Sequence, residues 1–269
     1  MRAPGDMTNL LGAIFDQTPL DYDAVRPGYP AELVNDIISL SAIPEQGSIL
    51  EIGCGTGQAT IPFARHGYTM LCLDIGKDLI AIAAQKCRPY PQVSFEMTSF
   101  EDWHPEGRTF DLVISATAFH WIPPQIGYPK IAQIIECRGT MALFWNLHPP
   151  PYAGFFSEVQ QVYRRVVPEW GDPRNGPSTE ERIRSRETTI NESGLFEPVL
   201  VRRYPWTKTY STEAYLRLLN TYSDHLALDE SRRQQLFNGI GDLIDREYDG
   251  VVTRPYLSVL YIAKKADHG

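Results

Sequence analysis

The sequence predicts an α/β protein: a doubly wound, mostly parallel sheet of seven strands with an added helical cap. Three observations carry this. Ser48 to Ile52 is a short apolar run with β-branched residues, and it meets the cluster Gly53, Gly55 and Gly57 before Gln58 to His66 can start a helix. From there to Trp145, short apolar runs alternate with segments of helical spacing, the pattern of a parallel sheet covered on both faces. After Pro149 the alternation gives way to longer amphipathic and charged stretches.

In chain order, a helix from about Ala31 precedes the first strand, Ser48 to Ile52. Thr69 to Leu73 is the second strand. Lys77 to Cys87 places Leu79, Ile80, Ile82, Ala83 and Ala84 at helical spacing, and the turn Pro89-Tyr90-Pro91 stops it. Val93 to Met97 and Phe110 to Ser115 follow as strands, and a helix from about Pro129 to Cys137 crosses back to a fifth, Gly139 to Trp145. Right-handed crossovers are the rule for such units. From Pro149 to Gly194 the chain reads as an inserted or covering helical segment. It has an amphipathic helix from about Tyr152 to Val167, a polar breaker at Gly171 to Pro177 and a charged helix from Thr179 onward. Phe196 to Tyr204 returns to strand character, helices follow over Thr212 to Ala227 and Asp229 to Tyr248, and Tyr256 to Ala263 is a last apolar strand. The organisation expected is a single domain over 1–269, with an N-terminal cap segment (1–45), a cofactor-binding core (46–148), a helical insertion (149–195) and C-terminal strands with cap helices (196–269).

Of the 269 residues 43% are apolar and 22% charged, which is ordinary for a globular chain. A net charge of −8 and a pI near 5.3 argue against attraction to phosphate backbones or anionic membranes, so neither nucleic acid nor membrane is expected as a partner. Cys54, Cys72, Cys87 and Cys137 form no Cys-x-x-Cys pair and sit in apolar or motif segments, which predicts buried reduced thiols and a cytoplasmic setting. Leu10 to Phe15 is too short for a signal core or a membrane span. No metal-ligand set is expected.

Glycines at a strand-to-helix turn let the backbone take φ > 0 and approach a ligand closely, while the helix N-terminus offers N–H groups to an anion. A dinucleotide fingerprint needs its third glycine one place later, where this chain has Gln58. That spacing disfavours a nicotinamide oxidoreductase. The order Glu51-x-Gly53-x-Gly55-x-Gly57 instead resembles the first motif of class I S-adenosylmethionine (SAM) dependent methyltransferases. Phe110 to Trp121 resembles the fourth motif of the small-molecule members. Tyr22-x-x-x-Arg26-Pro27-x-Tyr29-Pro30 is similar to the N-terminal segment of the methyltransferase type 11, trans-aconitate-like group, as is Leu143 to Asn146. Ile135 to Gly139 departs from the Lys-Pro-Gly-Gly turn usual there, in a connection far from the site. The resemblance implies a Rossmann-like fold and SAM as cofactor.

Asp74 closes the second strand 17 residues beyond Gly57, and an ionised carboxylate there can accept two bonds from a ribose diol. The competing reading is the N-cap of the helix that begins at Lys77. The resemblance implies that Asp74 binds both ribose hydroxyls, that Ile75 packs on the adenine, and that Ser99 and the Phe100 N–H read the adenine edge where relatives show Asp-Ala. It implies that Ser115 and Ala116 face the methionine part, and that Tyr22 and Arg26 close over the cofactor with Arg26 near its carboxylate. For Arg26 the competing reading is a surface ion pair, and for Glu101 and Asp102 a solvated turn. His120, one step past the fourth strand, is the candidate base, against a packed histidine beside the pocket-wall Trp121; His148, Tyr222 and His225 are later alternatives. The expected function is SAM-dependent methyl transfer to a small-molecule carboxylate, phenol or amine by in-line displacement, in a monomer or homodimer. Alignment can supply roughly 7–11 kcal/mol and one base roughly 3–5 kcal/mol, so a base is not essential. The alternative from another class is a SAM-binding protein of the same fold without methyl transfer.

Overall fold

The computed structural model describes residues 19–149 and 153–267. Leu10 to Phe15 and the expected helix start at Tyr152 lie outside them. Helices α1 (Pro19–Val25) and α2 (Ala31–Ser41) lead into β1 (Ser48–Ile52), followed by α3 (Thr60–Ala64), β2 (Thr69–Asp74), α4 (Lys77–Lys86), β3 (Val93–Met97) and β4 (Phe110–Ala116). Then come α5 (Pro124–Ile134), β5 (Ile135–Leu147), α6 (Phe155–Val166), α7 (Thr179–Glu192), β6 (Leu200–Ser211), α8 (Thr212–Leu219), α9 (Ser223–Leu226), α10 (Glu230–Glu247) and β7 (Val251–Lys264). The seven strands form one sheet in the order β3-β2-β1-β4-β5-β7-β6. The first five run parallel, and β7 pairs antiparallel with both β5 and β6.

Period-2 alternation divides the core between the two faces. Leu50, Leu71, Val113, Leu143 and Val259 belong to one buried cluster, joined by Ile131 of α5 and by Ile183 and Ile190 of α7. Ile49, Met70, Leu112, Ala142 and Leu260 belong to the other, joined by Leu33 and Ile37 of α2 and Phe63 of α3. A third cluster is the cap: Val25, Phe155, Val159, Leu218, Leu236, Ile240 and Ile244 pack around Tyr210 and Tyr256. The charged helix α7 thus packs on the sheet and not in the cap. A full capping box starts it, with Ser178 and Glu181 bonded reciprocally at 3.2 and 2.7 Å.

Several boundaries differ from expectation, each for a local reason. The crossover helix spans Pro124–Ile134, not Pro129 to Cys137; Pro124 at its first position is the starting signal, because a missing N–H costs nothing there. Residues 135–138, expected as helix end and turn, extend β5, with an irregular register between Phe110 and Leu112. β6 begins at Leu200 and runs past the expected end at Tyr204 to Ser211, and β7 begins at Val251, ahead of the expected Tyr256, each passing through a proline. Pro205 lies on the edge strand β6, and Pro255 on the part of β7 that pairs only with β6, so neither proline removes a bond from a central ladder. The helix expected over Thr212 to Ala227 breaks after Leu219, where the Thr221 hydroxyl donates back to the Leu218 carbonyl at 2.6 Å. Cys54, Cys72 and Cys87 are buried and unbridged, but Cys137 is exposed, since the extended start of β5 carries it to the surface. Among the described residues no helix is long and apolar enough to cross a membrane.

Candidate functional site

The strand order reverses between the parallel neighbours β1 and β4, and at the carboxyl ends of these strands such sheets open a crevice. Gly53, Gly55 and Gly57 have φ of +73°, +55° and +86°. Gly53 is required twice over, because a Cβ on it would stand 2.3 Å from the Ala118 Cβ. The turn is tied to β2: the N–H groups of Gly53 and Cys54 donate to the Leu73 carbonyl at 2.8 and 3.1 Å. One residue on, the Asp74 carboxylate accepts from Gly55 N at 2.7 Å and from Gly76 N at 2.9 Å. The same acid therefore orients the glycine turn and the start of α4, and its two bonds hold it at the crevice wall.

Glu51 stands behind the turn, fully buried on the α2–α3 face. Its Oε2 accepts from the Thr60 hydroxyl at 2.6 Å and the Cys72 thiol at 3.6 Å, while Oε1 has no partner. Burial pushes this carboxyl up to about 7, against the pull of those two bonds. Ser115 also faces inward, donating to the Ile52 carbonyl at 2.8 Å. Glu51, Gly57 and Ser115 shape the turn from behind, whereas Tyr22, Arg26, Gly53, Gly55, Asp74, Ile75, Ser99, Phe100, Ala116 and His120 all line one chamber.

The loop after β3 is held from below. Lys130 of α5 donates to the carbonyls of Phe100 at 2.6 Å, Glu101 at 3.0 Å and Trp103. The Ser99 hydroxyl donates to Asp102 at 2.8 Å and accepts from its N–H at 3.1 Å, so Asp102, an exposed turn residue, is tied to Ser99 at the chamber wall. Opposite, α1 is clipped down by Lys86, which bonds Asp23 at 2.5 Å and the Thr56 carbonyl at 2.8 Å. That places Tyr22 over the turn, with its Cε1 3.6 Å from where a Gly55 Cβ would be. Arg26 stacks between Tyr22 and Tyr222, 4.8 and 4.6 Å from their ring centres, and donates to the Thr221 hydroxyl and carbonyl at 2.9 and 2.6 Å. Among the described residues Arg26 forms no ion pair. Tyr29 anchors the segment by bonding the Thr117 hydroxyl at 2.8 Å, and Asn146 by donating to the Gly28 carbonyl at 3.0 Å.

His120 lies at the chamber mouth beside Trp121. Its Nδ1 accepts from the Trp145 indole N–H at 3.2 Å. Desolvation of the ring, with Arg186 nearby, brings its pKa down to about 4, although the residue keeps an exposed edge. A neutral ring whose Nδ1 accepts carries its proton on Nε2, so the second nitrogen is a donor. His148 is held neutral by burial and by Arg254, Arg26 and Arg182. His225 is buried, bonded to Asp224 at 2.7 Å through Nδ1 and to the Tyr163 hydroxyl at 3.0 Å through Nε2. The chamber, partly open to solvent, has a volume of about 1880 Å³, against roughly 300–1,000 Å³ for a pocket holding one small ligand. It has room for two molecules. Asp74, Glu101 and Asp102 make its sheet end acidic, whereas its cap side carries both signs, with Arg174, Arg182 and Arg254 beside Asp172, Glu181 and Asp224.

Sequence reasoning missed Arg254, Tyr163, Tyr215 and Lys130. A signal existed for one of them: Arg254 is a lone charge in the apolar run Val-Val-Thr-Arg-Pro-Tyr-Leu.

The chain is similar to known methyltransferases. A profile of the methyltransferase domain matches residues 49–137. An uncharacterised methyltransferase-like protein of Schizosaccharomyces pombe is 24% identical over 80% of this chain and 80% of its own. The malonyl-[acyl-carrier protein] O-methyltransferase of a Paenibacillus strain is 25% identical over 82% of this chain and 85% of its own. Phosphoethanolamine N-methyltransferase 2 of Haemonchus contortus, solved with S-adenosylhomocysteine, shares the fold with a TM-score of 0.54 and 13% identity. That match covers 94% of this chain and 58% of that one.

Proposed function

Because the chain is a class I SAM-dependent methyltransferase, we propose that it methylates a small molecule enclosed with the cofactor in the chamber between sheet and cap. The observation that carries this is one cavity, larger than the cofactor needs, that joins the glycine turn, Asp74 and the loop after β3 to a tyrosine-rich cap wall. The residues fit the cofactor: the close approach at Gly53, the Asp74 carboxylate for ribose hydroxyls, Ile75 for the adenine face, and Ser99, Phe100 and Asp102 for its edge. Arg26, with Tyr22 above the turn, suits a carboxylate by its fork of donors. Bound there, SAM supplies a methyl group activated by its sulfonium. The cap helices exclude water from that methyl, and the enclosed walls align the acceptor with it. His120 serves best as a hydrogen-bond donor to the acceptor, because an imidazole titrating at about 4 is a weak base at neutral pH.

The test is a screen of carboxylic acids, phenols and amines with labelled SAM, reading out which product gains the label. Turnover of none of them would remove the small-acceptor reading. Asp74→Ala is expected to weaken SAM binding by about 1–3 kcal/mol through lost charge-assisted hydrogen bonds. Unchanged affinity in a calorimetric titration would sink the ribose assignment.

A further inference from the structure

The cap wall holds a charge that the described residues do not neutralise. Arg254 is only 9% exposed, yet it lines the chamber. Its one hydrogen bond among the described residues is long, 3.5 Å from Nη1 to the phenol oxygen of Tyr215. The rings of Tyr215, Tyr222 and Tyr256 surround it with centres 5.7 to 5.8 Å from the guanidinium carbon. No carboxylate pairs with it among the described residues. The three acids on the cap side of the chamber are engaged elsewhere, Asp224 with His225, Glu181 with the Ser178 N–H and Asp172 with Arg174.

A guanidinium stays charged at any working pH, and burying one without a counter-ion is costly. Ring faces offset only part of that cost. Of its five N–H donors four have no hydrogen-bond partner among the described residues. A folded chain keeps such a group where something else supplies the anion. The opening toward the chamber shows from which side it comes.

We propose that Arg254 is the anchor for a carboxylate on the methyl acceptor, with the body of that molecule lying against the tyrosines of the cap wall. One guanidinium among neutral phenols matches a single negative charge, and its planar fork matches the two oxygens of a carboxylate. The proposal rests on the reading that acceptor and cofactor share the chamber, and it assigns the two arginines to different molecules: Arg26 to the cofactor, Arg254 to the acceptor.

The test needs no turnover. Thermal unfolding of the wild-type protein is followed with benzoate, with its neutral isostere benzamide and with inorganic phosphate, at fixed ionic strength. Benzoate is expected to raise the midpoint, and benzamide and phosphate are not. In Arg254→Met the benzoate response should vanish, while the midpoint without ligand stays level or rises, because a buried charge is gone. Arg254→Lys, which keeps the charge and loses the fork, should weaken benzoate binding at least tenfold and covers the case of a methionine variant that does not fold. Benzoate and benzamide acting alike, no response to benzoate, a larger response to phosphate, or an undiminished benzoate response in both variants would overturn the proposal. So would a tenfold loss of SAM affinity in either variant, which would hand Arg254 to the cofactor. Failure of the methyl-transfer screen would leave the benzoate result standing, so the two readings fail separately.

Discussion

Gly53→Ala is expected to destabilise the protein by about 2–5 kcal/mol and to abolish SAM binding. A left-handed backbone at φ +73° costs an L-residue roughly 1–2 kcal/mol, and a methyl forced into a filled site costs roughly 1–3 kcal/mol more. The obstacle is the Ala118 Cβ at 2.3 Å. Being attached directly to backbone, it cannot rotate away, so either the β1 turn or the chain leaving β4 must shift. Both form the chamber wall. Gly67→Ala is the control: its φ is +86° but nothing lies within 4 Å of the new methyl, so it should lose only the conformational part. Urea unfolding of the two variants checks this, and equal losses would show that the contact with Ala118 yields at no cost.

The second large effect is a pH dependence that Glu51 imposes. Its carboxyl is raised from about 4.5 in the open chain to about 7 in the fold. Between these values the folded protein holds a proton that the unfolded chain has released, so stability falls as pH rises through the window and levels off above it. A shift of this size corresponds to about 3 kcal/mol. Glu51→Gln cannot ionise, so its stability relative to the wild type should climb from pH 4.5 to pH 7 and then stay flat. Denaturation curves of both proteins at matched pH give the difference. Parallel profiles would mean that Glu51 titrates alike in the two states.

The parallel half of the sheet was legible because each of its strands repeats one local pattern. Leu50, Leu71 and Val113 fall on one face and Ile49, Met70 and Leu112 on the other without reference to anything distant. The glycine turn and Asp74 were legible for the same reason: a tight turn and a strand end are short-range events. The cap was not. Its core joins Val25 to Leu218, Ile244 and Tyr256, residues far apart in the chain whose spacing says only that helices are present. Arg26 shows the limit inside one motif. Its place beside the turn could be anticipated, but its partner Thr221 lies 195 residues away, at a helix break hidden in an apolar stretch. The bounds of the last two strands, which run through Pro205 and Pro255, were hidden for a different reason, since whether a strand can pass through a proline depends on which neighbour it has.

The two long C-terminal strands work as a ruler. From Leu257 onward β7 is zipped to β5 and belongs to the sheet, whereas Val251–Tyr256 extends past it on β6 alone. The distance from sheet edge to Arg254 is therefore counted in residues along a continuous ribbon, at about 3.3 Å each. Lengthening both strands by two residues would carry the guanidinium outward with its facing unchanged, and slipping one residue would turn it away from the chamber altogether. Related chains could move the far wall to suit acceptors of different length through paired insertions here, leaving the cofactor end untouched.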